Sequence, residues 1–349
     1  MSTDLLPSED VWPEGRRPEV SVVLPSYNHR AYIVQAIDSV LSQSLQHWEL
    51  IVVDDGSSDG SPELLKARYG AHPQIRLVFQ ANQGAHRAIN RGMALARGRY
   101  IAILNSDDVY HPERLQTLLA HCEAQPCGLA FTPVAPIDAD GGPLLDPEHP
   151  WCRLYARLSR IYATDGARQA LLSGNFAVST SNFFFPAERI AQIGGFRKKR
   201  YNHDWDFMAR LLQHGHALVC VGEQPLLSYR LHGRNTIHQN TLMARVELKR
   251  ILQQLVPSGD RYSAALLAQT ALNLRSMRRE HEVRLLQDLQ LQLQQREAEL
   301  AEQAQARAQL AQALAAAQDH LRLIHNSRSY RLAQWLARGA ALFKKRPGP

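Results

Sequence analysis

The stretch that most constrains the fold runs from Glu19 to Ser61, EVSVVLPSYNHRAYIVQAIDSVLSQSLQHWELIVVDDGSSDGS. Val20–Leu24 is a short apolar run rich in β-branched residues, and Pro25 ends it. Ile33, Ile37, Val40 and Leu41 then recur at helical spacing. A second apolar run, Leu50–Val53, leads straight into Asp54-Asp55-Gly56-Ser57. Two buried-type strands flanking a helix predict a βαβ unit, whose crossover is right-handed in nearly all such units. Ligands of these sheets bind beyond the carboxyl ends of the strands. Here those ends carry Pro25-Ser26-Tyr27-Asn28 and Asp54-Asp55, which are polar, aromatic and acidic groups rather than a glycine-rich phosphate loop.

The alternation continues. Ile75–Phe79 reads as a strand, Gly84–Arg97 as a helix closed by Gly98 at its C-cap, and Arg99–Leu104 as the next strand. That strand again ends in acid, Asn105-Ser106-Asp107-Asp108, and His111-Pro112-Glu113 opens a helix. Leu129–Thr132 reads as a strand, Pro133–Pro150 as a Pro/Gly/Asp-rich loop, Ala167–Leu172 as a short helix and Asn182–Phe185 as an aromatic strand. A helix follows at Asp204–His214, then strands at Ala217–Val221 and Leu226–Tyr229. Strands alternating with helices predict an α/β domain built on a mostly parallel sheet.

Beyond about Thr236 helix formers take over. Leu286, Leu293, Leu300, Leu314 and Leu321 share one heptad position, and Leu289, Leu310, Ala317 and Ile324 share its partner; Arg296, Gln303 and Arg307 interrupt the seam. This predicts a coiled coil, with a long helix packed on its own domain as the alternative. The expected organisation is a flexible leader (1–18), an α/β domain (19–235), a helical segment (236–280), a coiled coil (281–325) and a basic amphipathic tail (326–349). The tail carries Arg328, Arg331, Arg338, Lys344, Lys345 and Arg346 and no acid, in a chain of formal net charge +7. That composition suits an anionic membrane surface, or a helix packed on the coiled coil. The coiled coil suggests a homodimer. The basic residues form no nucleic-acid-binding module, so no nucleic acid partner is expected.

No apolar run reaches the roughly 18 residues of a transmembrane helix. MSTDLLPSEDVWPEGRRPE lacks the basic and apolar regions of an export signal. A cytoplasmic location, at most peripheral to the membrane, is therefore expected. Cys122, Cys127, Cys152 and Cys220 form no paired zinc pattern and are expected as free thiols.

The chemistry is expected at the acidic strand ends. Asp54, Asp55, Asp107 and Asp108 end two apolar runs, so they can converge on one crevice. Carboxylates grouped in this way suit a hard divalent cation that holds phosphate oxygens.

At this point the residues resemble a known family. PSYNHRAYIVQAIDSVLSQSLQHWELIVVDDGSSDGS is similar to the opening of the family 2 glycosyltransferases, which have the GT-A fold. NQGAHRAINRGMALARGRYIAILNSDD, IGGF, HDWDFMARLLQHG and YRLHGRN follow in the family's order. The resemblance covers residues 19 to 235. It implies a nucleoside site lined by Pro25 and Tyr27, with Asn28 in the same loop, Asp55 accepting from the base and Asp54 orienting its loop. It places Arg87 and Asn90 near the donor, and Asp107 and Asp108 in the metal motif with Asp108 as the direct ligand. His232 would complete a Mn2+ or Mg2+ site, and Asp204 would be the catalytic base.

Two departures stand out: His203 replaces the acid that usually precedes the base, and Asn105 replaces the first acid of a DSDD motif. The QxxRW motif of processive synthases is absent. The expected activity is inverting, metal-dependent transfer of a UDP- or dTDP-linked sugar to a glycan or lipid-linked hydroxyl in bacterial surface-polysaccharide synthesis. The alternative is a non-catalytic scaffold acting through the coiled coil. A nucleotidyltransferase would need a glycine-rich loop after the first strand, and PSYNHR is not one.

Overall fold

The computed structural model describes residues 17–199, 202–232, 251 and 261–343. β1 (Val20–Ser26) and β2 (Trp48–Asp54) run parallel, with Val20 opposite Trp48 and Ser26 opposite Asp54. β3 (Ile75–Phe79) extends the sheet beyond β2, and β4 (Tyr100–Ile103) pairs with β1 on its other side, both parallel. β6 (Leu129–Phe131), β8 (Phe184–Pro186) and β9 (Leu218–Cys220) complete seven strands in the order β3-β2-β1-β4-β8-β6-β9. Only β8 runs antiparallel to its neighbours. The mostly parallel α/β sheet expected from the alternation is the one observed.

Every residue of β1 and β2 is buried because helices cover both faces. Val20, Val22 and Leu24 pack with Ile33, Ile37 and Val40 of α1 (Ile33–Leu41) on one side. Val23 packs with Ile89 and Met93 of α3 (Ala85–Leu95) on the other. Two of the polar residues in these strands pair with each other, Ser21 donating to Glu49 at 2.6 Å. The Ser21 hydroxyl in turn accepts from Gly98 N at 2.8 Å. A Cβ on Gly98 would lie 2.5 Å from Ser21 N, so this glycine is required by backbone approach. It is not the expected C-cap, since α3 ends at Leu95 with Ala96 already extended.

Two other expectations need correction. The segment 133–150 is not all loop: β7 (Val134–Ile137) pairs with β10 (Leu227–Arg230), which also pairs with β5 (Val109–Tyr110), giving a second, three-stranded sheet. Pro136 misled the reading, but β7 lies at an edge, where a missing N–H costs no ladder bond. The helix expected at Ala167–Leu172 is the end of α5 (Pro150–Ser173), kinked at Gly166, whose φ is 80°. Proline stands in its first turn and His149 accepts from Trp151 N. Its aromatic residues anchor it: Trp151 stacks on Tyr229, Tyr155 Oη accepts from Val134 N, and Tyr162 Oη donates to Leu218 O.

Cys122 and Cys127 are not free thiols but a disulfide, with Cα atoms 5.6 Å apart. α4 (Arg114–Ala124) ends and the chain folds back into β6, so the two buried sulfurs meet. Cys152 and Cys220 remain reduced.

The chain divides into two compact units, 1–274 and 275–349. One helix, Arg261–Asn326, crosses the boundary expected at 280, and Arg328–Phe343 follows it. Apart from Ile251, residues 236–260 and the leader up to residue 16 lie outside the described residues. Among the described residues no helix is long and apolar enough to cross a membrane.

Candidate active site

The carboxyl ends of β1 and β4 are neighbours in the sheet, and their loops meet. The β1 loop brings His29, whose Nδ1 lies 2.8 Å from Ser106 Oγ in the β4 loop. Asp107 follows, and His232, two residues beyond β10, places Nε2 3.1 Å from Asp107 Oδ2. One ligand atom from each of His29, Asp107 and His232 can be chosen so that all lie within 4.8 Å of one another. Tyr32 stacks on the His232 ring at 5.2 Å and 25°, and His29 stands edge-on to both rings. Burial pushes the Asp107 carboxyl up, but the His232 hydrogen bond and the charges of His29 and His232 bring it below the usual range.

Asp108 is placed differently from Asp107. Its carboxylate accepts from Ser181 Oγ and from Arg230 N at 2.9 Å, and it is 1% exposed. Burial, then the Asp107 charge, raises it well above the ordinary range. Asp107, and not Asp108, belongs to the cluster whose ligand atoms come together with His29 and His232. Asn105 has a matching structural use, its Oδ1 accepting from Thr180 Oγ1 at 2.9 Å.

Arg230 ties these loops together from beneath. Its guanidinium donates to Asp107 O (2.8 Å), Asp138 O (3.1 Å), Ala139 O (3.0 Å) and Gln35 Oε1 (2.5 Å). It also lies 4.9 Å from the centre of the Tyr32 ring.

The residues expected to face a nucleoside sit at the ends of β1 and β2. Since β1 separates β2 from β4, the two acidic ends stand about 10 Å apart at strand level. Asp55 accepts from Gln80 Nε2 (2.7 Å), Gln83 N (2.9 Å) and Gly84 N (2.7 Å), which binds the loops after β2 and β3 together. Asp54 Oδ1 accepts from Ser57 N, its Oδ2 is buried without a partner, and burial raises its pKa. Pro25 lies buried one residue before the end of β1, whereas Tyr27 is 49% exposed. Asn28 adopts φ 54° and clamps the opposite loop, its N donating to Ser57 Oγ and its Oδ1 accepting from Ser58 N, both at 2.8 Å.

Arg87 is exposed and donates to Gln83 Oε1. Asn90, expected near the donor, uses its amide on Phe196, donating to Phe196 O and accepting from Phe196 N at 2.7 Å each. That contact braces the IGGF turn, which Arg210 holds from the other side through Ile193 O, Gly194 O and Gly195 O.

Asp204 stands in the first turn of α7 (His203–Gln213), where a helix N-terminus favours negative charge. The residue at the cap itself is Asn202. Asp204 Oδ1 accepts from Trp205 N at 2.8 Å and Oδ2 from Asn175 Nδ2 at 2.6 Å. Burial raises its pKa, with the His203 charge acting against the rise. Asn175 also donates to Val178 O at 3.1 Å, closing a turn in which Val178 takes φ 75°. A β-branched residue in that region is strained, by about 1–3 kcal/mol.

His29 and Asn175 were not singled out in the sequence. His29 was legible in principle, since it lies just past the carboxyl end of the strand adjacent to β4. Asn175 carried no signal, because its meeting with Asp204 spans 29 residues of irregular chain.

Residues 21–186 match the family model described as Glycosyl transferase family 2. TuaG of Bacillus subtilis (strain 168), named as a teichuronic acid biosynthesis glycosyltransferase, is 40% identical over 129 residues, covering 37% of this chain and 51% of TuaG. A chondroitin synthase of Escherichia coli is 29% identical over 227 residues, covering 63% of this chain and 30% of the synthase. The chain therefore spans about half of the first of these relatives and under a third of the second. A structure of S. aureus TarS 1–349 in complex with UDP superposes with a TM-score of 0.52 at 16% identity, covering 72% of this chain and 70% of that one. The domain has the GT-A-like fold.

Proposed function

We propose that this chain is a glycosyltransferase that moves a sugar from a nucleoside diphosphate, uridine or thymidine, to a hydroxyl of a glycan or lipid-linked acceptor in bacterial surface-polysaccharide synthesis. The observation that carries the reading is the His29–Asp107–His232 cluster at the carboxyl ends of β1 and β4, inside a family 2 domain. The names of TuaG and of the chondroitin synthase support the polysaccharide setting, and the UDP held by TarS supports the donor class.

The donor set fits a divalent cation. Two imidazoles and a carboxylate suit Mn2+ better than Mg2+, which prefers an all-oxygen octahedron. Such an ion, held by His29, Asp107 and His232, would neutralise charge on the departing diphosphate. Ser106 orients the His29 ring, and Tyr32 and Arg230 fix His232 and Asp107. Asp55 and Tyr27 flank the nucleoside side. Asp204, held by Asn175 and Trp205 N, takes the proton from the acceptor hydroxyl as that oxygen attacks the anomeric carbon with inversion.

The test is Asp204→Asn, assayed for transfer against a panel of nucleotide sugars with donor binding measured alongside. Loss of a general base costs roughly 10²–10⁴-fold in rate. The expected result is that loss with donor binding retained; transfer near the wild-type rate would overturn the assignment.

A further inference from the structure

The helix Arg328–Phe343 lies beyond residues 21–186 and carries an apolar stripe that is exposed among the described residues. Leu332, Trp335 and Leu336 occupy i, i+3 and i+4 and are 58%, 71% and 57% exposed. The sequence repeats the spacing at Leu342 and Phe343. At 3.6 residues per turn, Arg331 and Arg338 fall along one border of the stripe, and both are exposed. Across residues 326–349 there are six basic residues and no acidic one. The helix is not long and apolar enough to span a bilayer.

We propose that this helix lies in the interfacial plane of an anionic lipid bilayer. Trp335, Leu332 and Leu336 would enter the headgroup–acyl boundary, and the arginines would stay at the phosphates. Tryptophan is the residue whose amphipathic ring suits that depth. Basic flanks add attraction to anionic headgroups that falls off within a Debye length. Charge decides between a bilayer and a second protein copy. The neighbouring segment 281–325 is mixed in sign and carries a leucine seam, which suits self-association; the tail has basic residues only, so two copies laid together would repel.

The experiment is co-sedimentation of the full chain with vesicles of phosphatidylcholine alone and of phosphatidylcholine with phosphatidylglycerol. Three proteins are compared: wild type, Trp335→Ser/Leu336→Ser, and Arg331→Glu/Arg338→Glu. All four positions are exposed, so folding is unaffected, which circular dichroism checks. The wild type should bind the anionic vesicles at least ten-fold more tightly than the neutral ones, and less tightly as salt rises. Each double variant should lose at least ten-fold on anionic vesicles. The proposal is overturned if the intact chain stays in the supernatant, or if the Trp335/Leu336 variant sediments like wild type. It is equally overturned if that variant changes only the oligomeric mass, which would make the stripe a contact between copies.

Discussion

Replacing Arg230 by methionine should collapse the candidate cation site and the stability of the domain together. The side chain is 1% exposed and donates to four acceptors on four different residues. Methionine fills part of the volume but donates to none. Asp107 O, Asp138 O, Ala139 O and Gln35 Oε1 would each lose a charged donor, in a place water reaches poorly. Single hydrogen bonds to charged groups are worth about 1.5–3 kcal/mol, but bonds from one guanidinium are not additive. The cost of removing one partner from a buried charged network is about 3–5 kcal/mol. Loss of the Tyr32 contact adds about 1 kcal/mol at most. For a domain of this size that lowers Tm by about 6–20 °C. Lysine should not rescue, since one ammonium cannot span the acceptors that a planar fork reaches. The assay is thermal unfolding followed by tryptophan fluorescence. A shift below about 2 °C would refute the view that Arg230 holds the site's floor.

Two further predictions follow from other parts of the chain. Asn175→Ala removes a donor to Asp204, whose pKa burial already raises, so that pKa should rise further and the acidic limb of kcat should move to higher pH. The loss at neutral pH should be about ten-fold in kcat with little change in donor KM; an unchanged pH profile would count against Asn175 as a positioning residue. Leu300→Lys with Leu314→Lys should halve the mass seen by sedimentation velocity if residues 281–325 pair two copies. Each leucine buried in such a seam contributes about 1.5–3 kcal/mol, and an unchanged mass would exclude this seam as the contact.

The order of strands and helices was legible because β1, β2 and β4 are buried on both faces and read as unbroken apolar runs. The acidic loops were legible because they follow those runs directly. What the sequence hid was use at a distance. Asp107 and Asp108 are adjacent and chemically identical, and only the folded chain shows that Asp108 accepts from Ser181 and Arg230 while Asp107 faces His29 and His232. Nothing in the sequence showed that Asn90 braces a turn 106 residues away. β7 was concealed by its proline, and α5 by Gly166, since both residues signal breaks that an edge strand and a kinked helix tolerate.

The central claim is that His29, Asp107 and His232 hold the cation that a nucleotide-sugar donor needs. Calorimetric titration of Mn2+, in the presence and absence of UDP, into wild type, His29→Ala, Asp107→Asn and His232→Ala tests it most directly. Wild type should bind Mn2+ and bind UDP more tightly with it. Each variant should lose at least about ten-fold in Mn2+ affinity with its circular dichroism unchanged. Wild-type Mn2+ affinity in all three variants, or UDP binding indifferent to the metal, would contradict the account.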